Sequence, residues 1–183
     1  MDYFLLNQDK RYTKTPCIMD LFENINVRYL NLVDSERIDD ITVLYVRSDK
    51  DTEYIDVLEK PLFMISEKLK KLLDRYNADI VFKMVPLIDF ENNIQKNYYL
   101  PVIEEIEALS SESEFGFNKF TVKKAVLDEE KIKGKKIFKI KESDKTLVVI
   151  RLDVAESILR RDFKGISIKR LEVSKNKEEQ GCE

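Results

Sequence analysis

Short apolar runs separated by charged segments constrain the fold of this chain more strongly than any other feature of its sequence. β-Branched and aromatic residues predominate in these runs, as is typical of β-strands. None of the runs approaches the ~20 consecutive apolar residues that a membrane-spanning helix requires. The runs for which we predict strands are residues 3–6, 42–46, 79–88, 95–103, 136–140, 146–152 and 166–173.

Two other segments have the apolar spacing of a helix. Over residues 66–76, Ser66 can cap the first turn, and an apolar stripe repeats at helical intervals on one side. The stripe consists of Leu69, Leu72, Leu73 and Tyr76. The second segment is residues 154–163. Asp153 precedes it and Glu156 follows Asp153 by three residues, which is the spacing of a capping box. We predict a helix in each segment.

Turn residues between the predicted strands indicate antiparallel hairpins. Asn92 and Asn93 separate the third strand from the fourth, and the polar stretch KESDK separates the fifth from the sixth. Because Pro86 and Pro101 cannot donate to a strand ladder, we expect each of them at a sheet edge, a bulge or a strand end. Residues 146–173 also fit a parallel βαβ crossover, which would make the sheet locally mixed.

These elements predict an α+β fold with a mainly antiparallel sheet and two main helices. A length of 183 residues fits one domain, because domains centre near ~150 residues, and we assign residues 1–174 to it. The Ser- and Glu-rich stretch 107–118 is where two lobes would divide. Residues 175–183 form a polar tail that we predict to be disordered.

The absence of histidine excludes many kinds of active site. With no histidine in the chain, Ser-His-Asp and Cys-His nucleophilic systems, histidine-ligated zinc and histidine acid–base catalysis are all ruled out. The few glycines form neither of the phosphate-binding motifs GxGxxG and GxxxxGK[ST]. The residues thus exclude these chemistries and offer no identifiable catalytic, cofactor-binding or metal-binding residues, but they do not by themselves show a function.

The cysteines and the first residues favour a cytoplasmic protein without a membrane segment. Cys17 and Cys182 are the only two cysteines, and we expect both to be free thiols, as in a reducing compartment. The opening MDYFLLNQDK has an acid where a signal peptide needs basic residues, and its apolar run is too short.

Charge is segregated along the second half of the chain. From residue 97 to residue 118 there is no basic residue, whereas ten lysines occur from residue 119 to residue 145. The acids of the base-free interval are Glu104, Glu105, Glu107, Glu112 and Glu114. The lysine-rich segment 119–145 supports an alternative function, a small nucleic-acid-binding protein. Its lysines alternate with Phe138 and Ile140, however, as they would on an ordinary half-buried strand.

Three segments of the sequence occur in a recognisable order. They read PLFMISEKLKKLLDRY, then DIVFKMVPLIDFENNIQKNYYLPVIEEIEALS, then TLVVIRLDVAESILRRDFKGISIKRLEV. An apolar run leads into a helix, a YYLP strand follows, and an IRLDVAESILRR helix precedes a closing strand. This order, over about residues 1–174, resembles an immunity protein family of bacterial polymorphic toxin systems that was first described as a domain of unknown function.

The resemblance implies a non-enzymatic protein that binds and neutralises a cognate toxin made by the same cell. It brings no catalytic or metal-binding residue to this sequence. Immunity proteins of toxic nucleases often use acidic surfaces, because the substrate sites of their targets are basic and opposite potentials speed association. A cognate toxin with a basic binding surface is therefore the expected partner. The near balance of acidic and basic residues in the whole chain disfavours nucleic acid as a partner.

The base-free interval is the candidate partner-binding site. An exposed tyrosine of the Tyr98-Tyr99 pair, rimmed by carboxylates, would suit a basic target. The alternative is a solvated loop that only keeps the protein soluble. The candidate residues are Tyr98, Tyr99, Glu104, Glu105, Glu107, Glu112 and Glu114.

Overall fold

The computed structural model describes residues 1–117 and 120–174 of the chain, and their fold is mainly β. Fifteen strands in four sheets make up 37% of the described part, and helices make up 15%. The predicted α+β class was therefore wrong. The two predicted helices are short, and strands of two or three residues form where no strand was predicted. The predicted disordered tail, residues 175–183, lies outside the described residues.

The strands and helices have the following bounds within the described ranges. The strands are β1 (Tyr3–Gln8), β2 (Cys17–Ile18), β3 (Leu44–Arg47), β4 (Val57–Leu58), β5 (Met64–Ser66), β6 (Val81–Asp89), β7 (Ile94–Val102), β8 (Glu105–Ile106), β9 (Glu114–Phe115), β10 (Val122–Lys124), β11 (Val126–Asp128), β12 (Ile137–Ile140), β13 (Val148–Arg151), β14 (Ile166–Arg170) and β15 (Glu172–Ser174). The α-helices are α1 (Leu21–Asn24), α2 (Glu67–Leu73) and α3 (Leu152–Leu159), and single 3₁₀ turns occupy Val27–Tyr29 and Ser35–Arg37.

A hairpin of two nine-residue strands, β6 and β7, is the centre of the six-stranded sheet, whose order is β2-β3-β6-β7-β5-β4. Its antiparallel register runs without interruption from Val81 opposite Val102 to Asp89 opposite Ile94. Asn93 in the turn has a φ of 52°, a left-handed conformation that asparagine tolerates better than most residues. The predicted hairpin is confirmed.

Pro86 lies in the middle of β6, opposite Asn97, and not at an edge, a bulge or a strand end as predicted. On the other side of β6, Met84 forms an isolated parallel bridge with Ile41, which precedes β3, and β3 itself pairs with β6 from Leu87 onward. Pro86 lies between these two contacts. A missing N–H group is tolerated at Pro86 because no regular ladder bond is required there.

The five-stranded sheet has the order β14-β1-β13-β12-β8. The antiparallel pairing of β12 with β13 confirms the second predicted hairpin. Strand β1 is antiparallel to both β13 and β14, so α3 connects two strands that run in the same direction with β1 between them. Strand β8 pairs in parallel with β12, which makes this sheet mixed.

The helices α2 and α3 differ in how they begin. Ser66 caps α2 as predicted, because its hydroxyl accepts a hydrogen bond from the Leu69 amide at 3.2 Å. The capping box predicted for α3 does not form. Asp153 instead accepts two hydrogen bonds from the Arg151 guanidinium, at 2.9 and 2.7 Å. No helix in the described ranges is both long and apolar enough to cross a membrane.

One core cluster joins α2, α3 and strands of both large sheets. Its most deeply buried members include Leu6, Val57, Ile65, Leu69, Leu73, Ile137, Val148, Ile150 and Val154. Two further clusters lie beneath the six-stranded sheet and between the five-stranded sheet and residues 108–132. A single domain over residues 1–174, divided near 107–118, stays a prediction.

Gly165 offers a test of packing at the end of the α3 connection. It has a φ of +73°, and a Cβ atom there would lie 2.5 Å from Cβ of the buried Ile55. We expect Gly165→Ala to lower the free energy of unfolding by about 3 kcal/mol, from left-handed strain plus overpacking. Gly134→Ala is the matched control, because Gly134 also has a positive φ but nothing lies within 4 Å of its added methyl group. It should cost only about 1 kcal/mol in urea unfolding, and equal losses in the two variants would contradict the close contact.

Asp89, buried at the end of β6, makes stability depend on pH. Hydrogen bonds from the Asn92 side chain (2.9 Å), the Ser48 hydroxyl and the Asn92 amide (3.0 Å) lower the pKa of its carboxyl from 3.8 to about 2. The resulting stabilisation is complete above the unfolded-state pKa near 4 and is lost as the pH falls toward 2. Asp89→Asn should be less stable at pH 7 and lose less stability than the wild type between pH 5 and pH 2, measured by urea unfolding. Parallel pH profiles would contradict this role.

Candidate partner-binding surface

The tyrosine pair of the candidate site does not provide an exposed ring. Tyr98 points into the core beneath the six-stranded sheet with only 2% of its surface exposed. Its hydroxyl donates to the Ile55 carbonyl oxygen at 2.7 Å, and burial raises its pKa. Tyr99 lies on the opposite face of β7, half-buried against the cluster that contains α2. Both rings are thus occupied in packing.

The first three glutamates of the candidate site are paired with lysines of the lysine-rich segment. Both carboxylate oxygens of Glu104 accept from the Lys135 ammonium, at 2.7 and 2.6 Å. Glu105 pairs with Lys139 at 2.5 Å and Glu107 with Lys141 at 3.3 Å. We call these three pairs the ion-pair ladder; they follow from the parallel pairing of β8 with β12, which sets Glu105 beside Lys139.

The ion-pair ladder cancels charge that the sequence keeps apart. Two blocks of opposite sign meet side by side, so neither presents the strong potential that its composition suggests. Pairs as exposed as these contribute little to stability, typically below ~1 kcal/mol each. Their main effect is electrostatic, because they leave this part of the surface close to neutral.

Glu112 and Glu114 lie apart from the ladder, at the far end of the base-free interval. Both are exposed, and neither forms an ion pair with another described residue. Lys124 is bound by Glu172 at 2.8 Å, and its pKa is raised first by that hydrogen bond, with Glu114 and Glu112 adding to the effect. Glu114 also lies opposite Lys124 in the register of β9 and β10, and we call Glu112, Glu114, Glu172 and Lys124 the acidic collar.

Three phenylalanines that sequence reasoning missed stand next to the acidic collar. Strands β9 and β10 form a separate two-stranded sheet, and we call its described residues, 114–117 and 120–124, the aromatic hairpin. Phe117 is fully exposed, Phe120 is 67% exposed and Phe115 is 38% exposed. A signal was present, since three phenylalanines occur within six residues of a stretch that lacks apolar periodicity.

The described surface also has an apolar strip and several open clefts. Ile41, Val43, Tyr45 and Phe90 form an exposed apolar strip, in which the rings of Tyr45 and Phe90 stack at 5.1 Å. The clefts are open to solvent, and one of about 630 Å³ is lined by residues that include Met1 and Arg170. Within residues 1–117 and 120–174, no three cysteine, aspartate or glutamate side chains are arranged to hold a metal ion.

A family model described as "Immunity protein family (Imm11)" matches residues 25–173 of the chain. The matched stretch contains both main helices, the β6–β7 hairpin, the ion-pair ladder and the aromatic hairpin. No curated protein matches the chain.

The ion-pair ladder can be tested by exchanging charges. Glu105→Lys and Lys139→Glu each place two like charges at the 2.5 Å contact, so each should lower the free energy of unfolding by about 1 kcal/mol. The double variant restores opposite charges and should recover most of the loss, as read from a double-mutant cycle of urea unfolding. Additive losses in the double variant would show that the two side chains do not interact.

Proposed function

Because the chain belongs to the Imm11 immunity protein family, we propose that it binds and neutralises one cognate bacterial toxin protein. The single observation that carries the proposal is the family match, which covers residues 25–173. Neutralisation is by a stoichiometric complex and not by an enzymatic reaction, in keeping with a family of immunity proteins.

The paired lysines favour this function over nucleic-acid binding. To bind Lys135, Lys139 or Lys141, a phosphate group would have to displace the carboxylate that already pairs with that lysine. At Lys124 it would have to displace the carboxylate of Glu172. Displacement of bound carboxylates offsets the release of counterions that drives proteins onto nucleic acids. The lysine-rich segment is therefore a poor phosphate-binding surface despite its composition.

The acidic collar supports a toxin with a basic binding surface. Its carboxylates outnumber its ammonium groups, so it attracts a basic partner and speeds the encounter. The proposed place of action is the cytoplasm of the cell that makes the toxin. The exposed free thiol of Cys17 fits such a reducing compartment.

The proposal predicts protection at a one-to-one ratio. The toxin gene next to the gene for this chain would be expressed with and without the chain, and growth should be restored only when the chain is present. In a titration of the purified toxin, residual activity should fall linearly and reach zero at equimolar chain. An unrelated immunity protein is the control and should leave both growth and toxin activity unaffected.

Two results would contradict the proposal. In the first, growth arrest persists with the chain present and size-exclusion chromatography shows no complex. The toxin would then not be the partner of the chain. Complete inactivation at far less than equimolar chain would indicate an enzyme. Binding to duplex DNA that weakens linearly on a log–log plot against salt would instead support the nucleic-acid alternative.

A further inference from the structure

The fold does not explain why Phe117 of the aromatic hairpin is a phenylalanine. Strands β9 and β10 pair only at Phe115 with Val122 and at Glu114 with Lys124, and two-stranded sheets of this kind are marginally stable by themselves. Phe117, fully exposed, buries no surface in the protein. A loop that is only solvated would carry polar residues, whereas aromatic residues, phenylalanine among them, are enriched in protein–protein interfaces.

The base of the aromatic hairpin is held by hydrogen bonds to its surroundings. The Ser113 hydroxyl donates to the Val126 carbonyl oxygen at 2.9 Å and accepts from the Val126 amide at 3.0 Å. The Gly116 amide donates to the Thr121 carbonyl oxygen at 2.7 Å, and the Asp144 amide donates to the Phe120 carbonyl oxygen at 3.0 Å. A hairpin that is fixed in advance loses less conformational entropy when it binds.

We propose that the aromatic hairpin is the element that docks the toxin, with Phe117 inserted into an apolar pocket whose rim is basic. The inference rests on the proposed function and names the surface that performs it. The hairpin supplies the anchor, and the exposed Glu112 and Glu114 of the acidic collar would face the rim. An apolar anchor with charged residues around it is the usual arrangement of a protein–protein contact.

The charges favour a protein over a membrane as the occupant. Binding to anionic lipids requires a cluster of lysines and arginines. The aromatic hairpin has Lys123 and Lys124 among its described residues, and Lys124 is already bound by Glu172. The carboxylates of Glu112 and Glu114 would repel anionic headgroups, whereas they attract the basic rim of a protein pocket.

The test compares two exposed phenylalanines. Phe117→Ser removes the proposed anchor, and Phe22→Ser is the matched control, because Phe22 is 67% exposed on α1 in another part of the chain. Calorimetric titration would use a catalytically inactive form of a toxin encoded by an adjacent gene. Phe117→Ser should bind this toxin at least about 30-fold more weakly than the wild type does. The control should stay within about 3-fold of the wild type, and both variants should melt within ~2 °C of it.

A second variant tests the acidic collar. Glu112→Gln with Glu114→Gln should slow association about tenfold at low salt while changing dissociation little, because rim charges act mainly on the rate of encounter. An unchanged association rate would remove the basic rim from the proposal.

The remaining outcomes distinguish the inference from the proposed function. If the wild type binds the toxin and Phe117→Ser binds equally well, or Phe22→Ser loses as much, the docking element is wrong and the immunity function stands. If the wild type does not bind the toxin at all, the function fails and the inference falls with it. Phe117-dependent sedimentation of the chain with vesicles of equal phosphatidylcholine and phosphatidylserine would assign the hairpin to a membrane and overturn the inference.

Discussion

The apolar contact between α2 and α3 is the interaction on which the rest of this structure depends. Leu69 and Leu73 of α2 and Val154 and Ile158 of α3 belong to one buried cluster with strands of both large sheets. Tyr76, just after α2, also donates its hydroxyl hydrogen bond to the Asp153 carbonyl oxygen at 3.2 Å. Two short helices thus hold two sheets together, and the burial of their apolar sides supplies most of the driving force at that contact.

The sequence predicted the elements that local patterns encode and failed where partners lie far apart in the chain. The hairpin turn at Asn93 and the cap at Ser66 depend on a few neighbouring residues, and both were predicted. Short strands such as β8, β11 and β15 form only because a distant strand offers its backbone groups. No local period reveals such pairing, so their number, and with it the β-rich class, was missed.

The candidate site shows the same limit for charge. Composition placed acids and lysines in separate blocks, but the register of β8 against β12 brings Glu105 beside Lys139 and leaves the two blocks largely neutral. Tyr98 points into the core because strand side chains alternate, but the exposed ring expected of the pair is absent because Tyr99 packs against the cluster that contains α2. Phe117 is exposed because of the hairpin that carries it. The number of aromatic residues in the sequence does not reveal which of them are exposed.

The position of β1 between β13 and β14 determines when the five-stranded sheet can finish folding. Strand β1 is made well before either of these two neighbours. At ordinary rates of synthesis the delay is on the order of ten seconds. During that time the edges of β1 are unpaired and available to chaperones, and the five-stranded sheet cannot close around β1 until β14 has been made.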